Sequence, residues 1–147
     1  MKNLFYLFIL LFAFSINAQT KHTITLNVDT SNITNGNISQ TCDFGQDEEI
    51  SNENFTIQVS IGDIVEWVGV STSSSEDTVE IISINHEGGA RVFDRNILRD
   101  NNGVVTGVVS SGRPGDYQKY NVKFRVYRNG SRLSGVFKID PKIIIKQ

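Results

Sequence analysis

Near the C-terminus, strict two-residue alternation leaves this chain little freedom: Tyr120, Val122, Phe124 and Val126 are interleaved with Asn121, Lys123, Arg125 and Tyr127. Side chains of an extended strand point to opposite faces in turn, so the pattern specifies a strand with one face buried. Asn129-Gly130 then turns the chain, since both residues accept positive φ at low cost, and Leu133, Phe137 and Ile139 alternate on the return. Asp140-Pro141 ends that pairing, because proline has no N–H to donate, and Ile143 to Ile145 supplies a last short strand.

The same period recurs upstream. His22 to Val28 alternates polar and apolar residues. Asp29 to Asn54 is dense in Asn, Ser, Thr, Asp and Gly and reads as loop, with one short strand near Ile33 to Ile38. Phe55, Ile57, Val59 and Ile61 restore the alternation, Gly62-Asp63 turns, and Ile64 to Val68 continues, which predicts a hairpin. Thr78 to Ile84 is rich in β-branched residues, and His86-Glu87-Gly88-Gly89 is expected to break that strand. Arg91 to Leu98 fits either a short strand or a turn of helix. Asn101-Asn102-Gly103 turns into the run Val104 to Val109, and Ser110 to Asp116, with Gly112, Pro114 and Gly115, is loop. Eight or nine strands and no amphipathic helix predict an all-β fold, an antiparallel immunoglobulin-like β-sandwich without internal repeats.

At the other end, Lys2 precedes eleven apolar residues, Leu4 to Phe14, followed by Ser15 and the small-residue exit Ile16-Asn17-Ala18. This is the layout of a secretory signal peptide, and the run is too short for the roughly 20 residues that cross a membrane. Residues 1–18 are therefore expected to be removed, leaving 19–147 as one exported domain, periplasmic or extracellular, with no membrane span. Its size suffices for one core. Cys42 is the only cysteine, so no intramolecular disulfide can form; it either pairs two chains or is buried, and burial is the preferred reading. It stands too far from the cleavage point to be a lipoprotein anchor.

Charge is divided along the chain. Between Gln19 and Ala90 there are 12 acidic residues and one basic, whereas from Arg91 onward there are 12 basic and 4 acidic. In a sheet built from both halves, acidic and basic strands can pair across the ladder. An acidic total without an Arg-rich run among aromatics makes nucleic acid an unexpected partner.

Signatures of catalysis are absent: no G-x-S-x-G, no H-E-x-x-H, no G-x-x-x-x-G-K, and only His22 and His86 to serve a triad. The expectation is a protein that is not an enzyme and needs no cofactor. Asp43, Asp47, Glu48 and Glu49 in one loop are the calcium candidates, without EF-hand spacing. For a glycan, Trp67, Phe93, Tyr117 and Tyr127 offer apolar faces while Asp100, Asn101, Asn102 and Arg128 can hydrogen-bond hydroxyls. Tyr127, which alternates to the solvent side, is the better contact; Trp67, inside a β-rich run, equally suits a core.

Several motifs carry resemblances to known proteins. Gly62-Asp63-Ile64-Val65-Glu66-Trp67 in a small exported β-protein is similar to the cupredoxins, which implies a cupredoxin-like shape. Copper ligands are not implied, because Cys42 and His86 lie far apart and Met1 leaves with the signal. That same motif, together with Tyr120-x-Val122-x-Phe124 and Gly135-x-Phe137-x-x-Asp140-Pro141-x-Ile143, resembles the bacterial inclusion-body family typified by PixA and AidA over residues 55 to 145. This likeness implies an immunoglobulin-like sandwich and a structural or self-assembling role, with no catalytic residues to carry over. The signal resembles those of Bacteroidetes, where Asp77-Thr78-Val79 would resemble an O-glycosylation acceptor; Ile143 to Lys146 resembles a type IX sorting tail without its Pro-Asn-Pro opening.

The expected function is non-enzymatic surface recognition of a protein or glycan by an exported β-sandwich. Self-association as a structural protein is the first alternative and a small hydrolase the second. Recognition predicts an exposed aromatic and polar patch, self-assembly an unblunted edge strand, and hydrolysis a deep pocket with convergent carboxylates or His86.

Overall fold

The computed structural model describes residues 19–147; the expected signal segment lies outside the described residues. In chain order the elements are β1 (Lys21–Val28), α1 (Ile38–Thr41), β2 (Cys42–Asp43), β3 (Thr56–Val59), β4 (Ile64–Ser71), β5 (Thr78–Gly89), β6 (Ile97–Asn101), β7 (Val104–Val108), β8 (Tyr117–Arg128), β9 (Ser131–Arg132), β10 (Phe137–Ile139) and β11 (Lys142–Ile145). The strands run side by side in the order β2-β1-β4-β7-β6-β5-β8-β11-β3, with β9 and β10 also paired to β8.

The chain is all-β, but the expected antiparallel immunoglobulin-like sandwich of eight or nine strands is replaced by an eleven-strand mixed sheet curled into a half-barrel. Two parallel pairings make the difference, β1 with β4 and β3 with β11. Parallel partners are not joined by a tight turn, so no local turn signal marks them. β6 carries the curl. Its residues Ile97 to Arg99 pair with β5, and Asp100 and Asn101 pair with β7, so one strand serves both halves of the sheet.

Local expectations hold where a tight turn decides them. Asn129 and Gly130 take φ of 48° and 77°, and β8 pairs with β9 across them. The return strand bulges between Leu133 and Phe137 before β10 resumes opposite Phe124 and Val122. Three others are corrected. The expected hairpin at Gly62-Asp63 does not form, since β3 pairs with β11 while β4 pairs with β1 and β7. His86 to Gly89 does not break β5, which absorbs register shifts at Ile81/Ser83 and His86/Gly88 and continues along β8. No strand forms at Ile33 to Ile38; the short α1 starts there instead, with Gln40 and Thr41 donating back to the Asn37 carbonyl. Arg91 to Leu98 supplies one bridge, Phe93 to Val109, and then the start of β6.

Apolar residues of the alternating strands meet inside the curl. Trp67 of β4 stands edge-on to Phe93 and Tyr120 at centroid distances of 5.5 and 5.6 Å, and its indole N–H donates to the Tyr120 hydroxyl at 3.2 Å. Phe124 stacks on Phe137 at 5.4 Å. At Gly69 the backbone of β4 comes so close to β5 that a Cβ would lie 2.7 Å from the Val79 carbonyl oxygen, so only glycine fits. Cys42 is buried, as preferred from the sequence, and burial pushes its thiol pKa up to about 12. A disulfide between folded chains is thereby disfavoured.

Part of the divided charge pairs within the sheet. Glu80 lies opposite Arg125, and Glu87 holds Lys119 and Lys138, each at 3.4 Å. Burial alone would raise the Glu87 pKa; the Lys138 and Lys119 ammonium groups outweigh it and hold the carboxyl below its ordinary value.

Candidate functional site

The residues singled out for ligand contact do not converge. Trp67 is 1% exposed and belongs to the core, because its indole fills the space between two strands and an aromatic ring. Arg128 is a structural clamp: its guanidinium donates to the backbone carbonyls of Thr30 and, at 3.5 Å, Ile33. Tyr127 is half-buried opposite Thr78 and Arg132. Asp100 and Asn102 are exposed in the β6–β7 turn, where Asn102 takes φ of 55° and Gly103 accepts a hydrogen bond from the Ile81 N–H. Phe93 is in the core, and Tyr117 is half exposed on β8. Among the described residues no hydrogen bond or ion pair joins Tyr127 to Asp100 or Asn102.

In the calcium-candidate loop, Asp43 accepts from Asn27 and from the Gly45 N–H, while Asp47 and Glu48 face solvent. No group of three or more His, Cys, Asp or Glu among the described residues is placed to hold a metal. His86 bonds the Gly89 carbonyl of its own strand at 3.2 Å. Thr78 is exposed at the start of β5, next to Asp77, whose carboxylate is fully engaged.

That engagement closes one end of the fold. Thr30 is wholly buried; its hydroxyl donates to Asp77 at 2.6 Å and is met by Ser71 and Ser73 at 2.7 and 2.9 Å. One donor and two lone pairs are all that a hydroxyl has, so Thr30 is saturated. Asp77 also accepts from the Asn129 N–H, which ties the end of β1, the β4–β5 loop and the β8–β9 turn together.

A corner closes the opposite end. The buried Asp63 carboxylate accepts from the Ser60 and Thr20 N–H groups at 2.8 and 3.2 Å and pairs with His22 Nε2 at 2.8 Å. Read as a hairpin turn, Gly62-Asp63 instead swings the chain from β3 to β4, half a sheet away. Burial alone would raise the Asp63 pKa; the Ser60 N–H, His22 and the Thr20 N–H outweigh it and hold the carboxyl below its ordinary value of 3.8. A depressed carboxyl stabilises the fold fully above the unfolded value and loses that contribution as pH falls through the folded one. Asp63→Asn is therefore expected to cost about 2 kcal/mol near neutral pH, from hydrogen bonds to a charged group. In thermal melts the gap to wild type should be constant above pH 5 and narrow only below the ordinary carboxyl value; a gap independent of pH down to acid unfolding would contradict this.

Between these two ends runs an open edge. β1 is paired with β4 along its whole length, Lys21 to Ile64 through Val28 to Ser71, but β2 covers only Asn27 and Val28 on its other side. Thr20 and Val28 carbonyls accept from Ile64 and Thr72, so even-numbered residues direct their backbone groups to β4. The Asp29 N–H goes the other way, to Thr41. Backbone direction alternates along a strand, so Lys21, Thr23 and Thr25 aim their N–H and C=O away from β4, where no described strand pairs with them. The side chains of Ile24, Leu26 and Val28 lie in the core, which fixes the strand's register.

The two ends of the strand order, β2 and β3, are blunted. At β2 the Gln46 and Asn52 side chains take the place of a strand: Gln46 accepts from the Phe44 N–H at 2.7 Å, and Asn52 donates to the Cys42 carbonyl at 2.7 Å. On β3, Phe55 and Val59 carbonyls bond the β11 strand and the Ser60 N–H is taken by Asp63, leaving only Thr56 and Gln58 aimed outward. β1 has no proline, no bulge, and one charged residue, Lys21, which pairs with Glu66 at 2.9 Å. The sequence marked β1 as a half-buried strand; its edge position had no local signal.

No family model and no curated protein matches the chain. Among solved structures, the crystal structure of the inclusion body protein PixA from Burkholderia cenocepacia is similar, with a TM-score of 0.62 at 15% identity over 89% of this chain and 98% of that one. At that identity the likeness shows a shared fold. The N-terminal domain of ORF48 of phage TP901-1 aligns at a TM-score of 0.39 and 13% identity, over 88% of this chain and 100% of that one, too low to carry an argument.

Proposed function

We propose, from the fold that this chain shares with the inclusion body protein PixA, that it is an exported structural protein without catalytic activity that assembles with copies of itself through the open edge of β1. The observation that carries this reading is the row of outward N–H and C=O groups at Lys21, Thr23 and Thr25, which no side chain caps among the described residues. An antiparallel neighbour would satisfy these groups and continue the sheet. Surface recognition of a glycan has less support, because Trp67 is internal and Arg128 holds backbone carbonyls instead of facing solvent.

Sedimentation of residues 19–147, which contain the whole described core, tests the reading. Dimers or larger species that grow with concentration are expected at micromolar concentration and above. A monomer across the full concentration range would remove it.

A further inference from the structure

Self-assembly by one strand edge is isologous and closes on a pair; the charges left unpaired by the fold supply a contact that does not close. Across the outer face of the sheet, register places Arg99 of β6 opposite Ser83 of β5, Ser83 opposite Lys123 of β8, and Lys123 opposite Lys138 of β10. Three cations thus share one row, and Lys123 faces Lys138 directly, an arrangement that like charges oppose. The row floors a groove of about 560 Å³ with no carboxylate in its lining. Glu87 and Asp140 neutralise Lys138, whereas Arg99 and Lys123 have no carboxylate within ion-pair distance among the described residues. Ile97 and Val136, 43% and 41% exposed, form apolar walls, and Asn85 carries a buried Oδ1 with no hydrogen-bond partner.

The complementary shape is on the same chain. Ile50 N–H closes a turn on the Asp47 carbonyl, which sets Glu48 and Glu49 at its two central positions, and the following Ile50 is 41% exposed. The turn is held in place by the Phe44–Phe55 stack at 4.7 Å and by Gln46 bonded to Asn52 at 2.8 Å. Asp47, Glu48 and Glu49 form no ion pair among the described residues. An ordered acidic turn with one apolar neighbour therefore matches a cationic groove with apolar walls.

We propose that the Glu48-Glu49 turn of one copy docks in the Arg99–Lys123–Lys138 groove of the next, a head-to-tail contact that propagates instead of closing. This rests on the self-assembly reading and adds to it the direction of growth. Screening makes the contact salt-sensitive, because the Debye length falls from about 10 Å at 0.1 M to about 3 Å at 1 M. The backbone pairing at β1 lacks that sensitivity.

Charge reversal in two separate proteins tests it: Arg99→Glu with Lys123→Glu in the groove, and Glu48→Lys with Glu49→Lys in the turn. All four side chains lie at least partly in solvent, and melting curves confirm that each variant folds. By sedimentation at low salt, each variant alone should lose the species beyond the dimer, with an association constant at least about tenfold lower, and a one-to-one mixture should restore them. Variants that assemble like wild type, or wild-type assemblies that ignore 1 M salt, would overturn the groove contact while leaving the β1 reading in place. Binding of polyglutamate to the groove without any effect of the turn variant on assembly would assign it a different occupant. A wild-type chain that stays monomeric would remove both.

Discussion

Trp67→Ala is expected to cost about 3–5 kcal/mol, the largest stability loss from any single substitution considered, and to leave a fold that barely survives at 25 °C. The indole touches both halves of the curled sheet: it sits on β4, stands edge-on to Phe93 ahead of β6, and donates its N–H to Tyr120 on β8. Truncation removes the largest fully buried side chain and opens a cavity where neither half can collapse without breaking a ladder. Tyr120→Phe is the companion test. It leaves the indole N–H buried and unpaired, at about 1–3 kcal/mol. In the Trp67→Ala background that penalty has no donor to fall on, so the two losses should be clearly less than additive. Urea melts of the two single variants and the double variant measure this. An unchanged Trp67→Ala midpoint would mean that Trp67 is not a core residue, and a glycan-contact role would regain its basis.

Thr23→Pro should abolish assembly at β1 while leaving the melting temperature near that of wild type. Thr23 directs its N–H away from β4, so proline removes no existing ladder bond and takes away a donor that only an added strand would use. Ile24→Pro, one residue on, is the contrasting case: it removes a bond to β4 and a buried side chain together, at about 3 kcal/mol or more. Should the proline ring strain β1, Thr23→Lys blocks the same edge by charge and desolvation instead. Sedimentation and melting of the three variants separate the outcomes. Thr23→Pro and Thr23→Lys chains that fold and still pair like wild type would place the contact elsewhere.

Much of the local structure was legible before any tertiary information. The alternation from Tyr120 to Val126 names the buried face of β8 correctly, and Asn129-Gly130 marks its turn. Burial of Cys42 followed from a single cysteine in a chain read as exported. Gly62-Asp63 was legible as a change of direction but not as a corner, because the Thr20 N–H and His22 ring that help hold Asp63 come from more than 40 residues earlier in the chain. Arg128 suits a ligand's hydroxyls by residue type alone, and nothing local marks the Asp29–Ile33 loop, 95 or more residues away, whose carbonyls its guanidinium holds.

By itself, then, the sequence determined an all-β chain, the faces of its main strands, its tightest turn, and a charge divided between its halves. Each of these is a property of side-chain type at short range. The tertiary structure alone decided the parallel partners of β1 and β3, the curl made by β6, and which strand was left with an open edge. The groups that form an edge are backbone N–H and C=O, identical at nearly every residue. No choice of side chain at Thr23 or Thr25 could therefore announce whether a neighbour would arrive to pair with them.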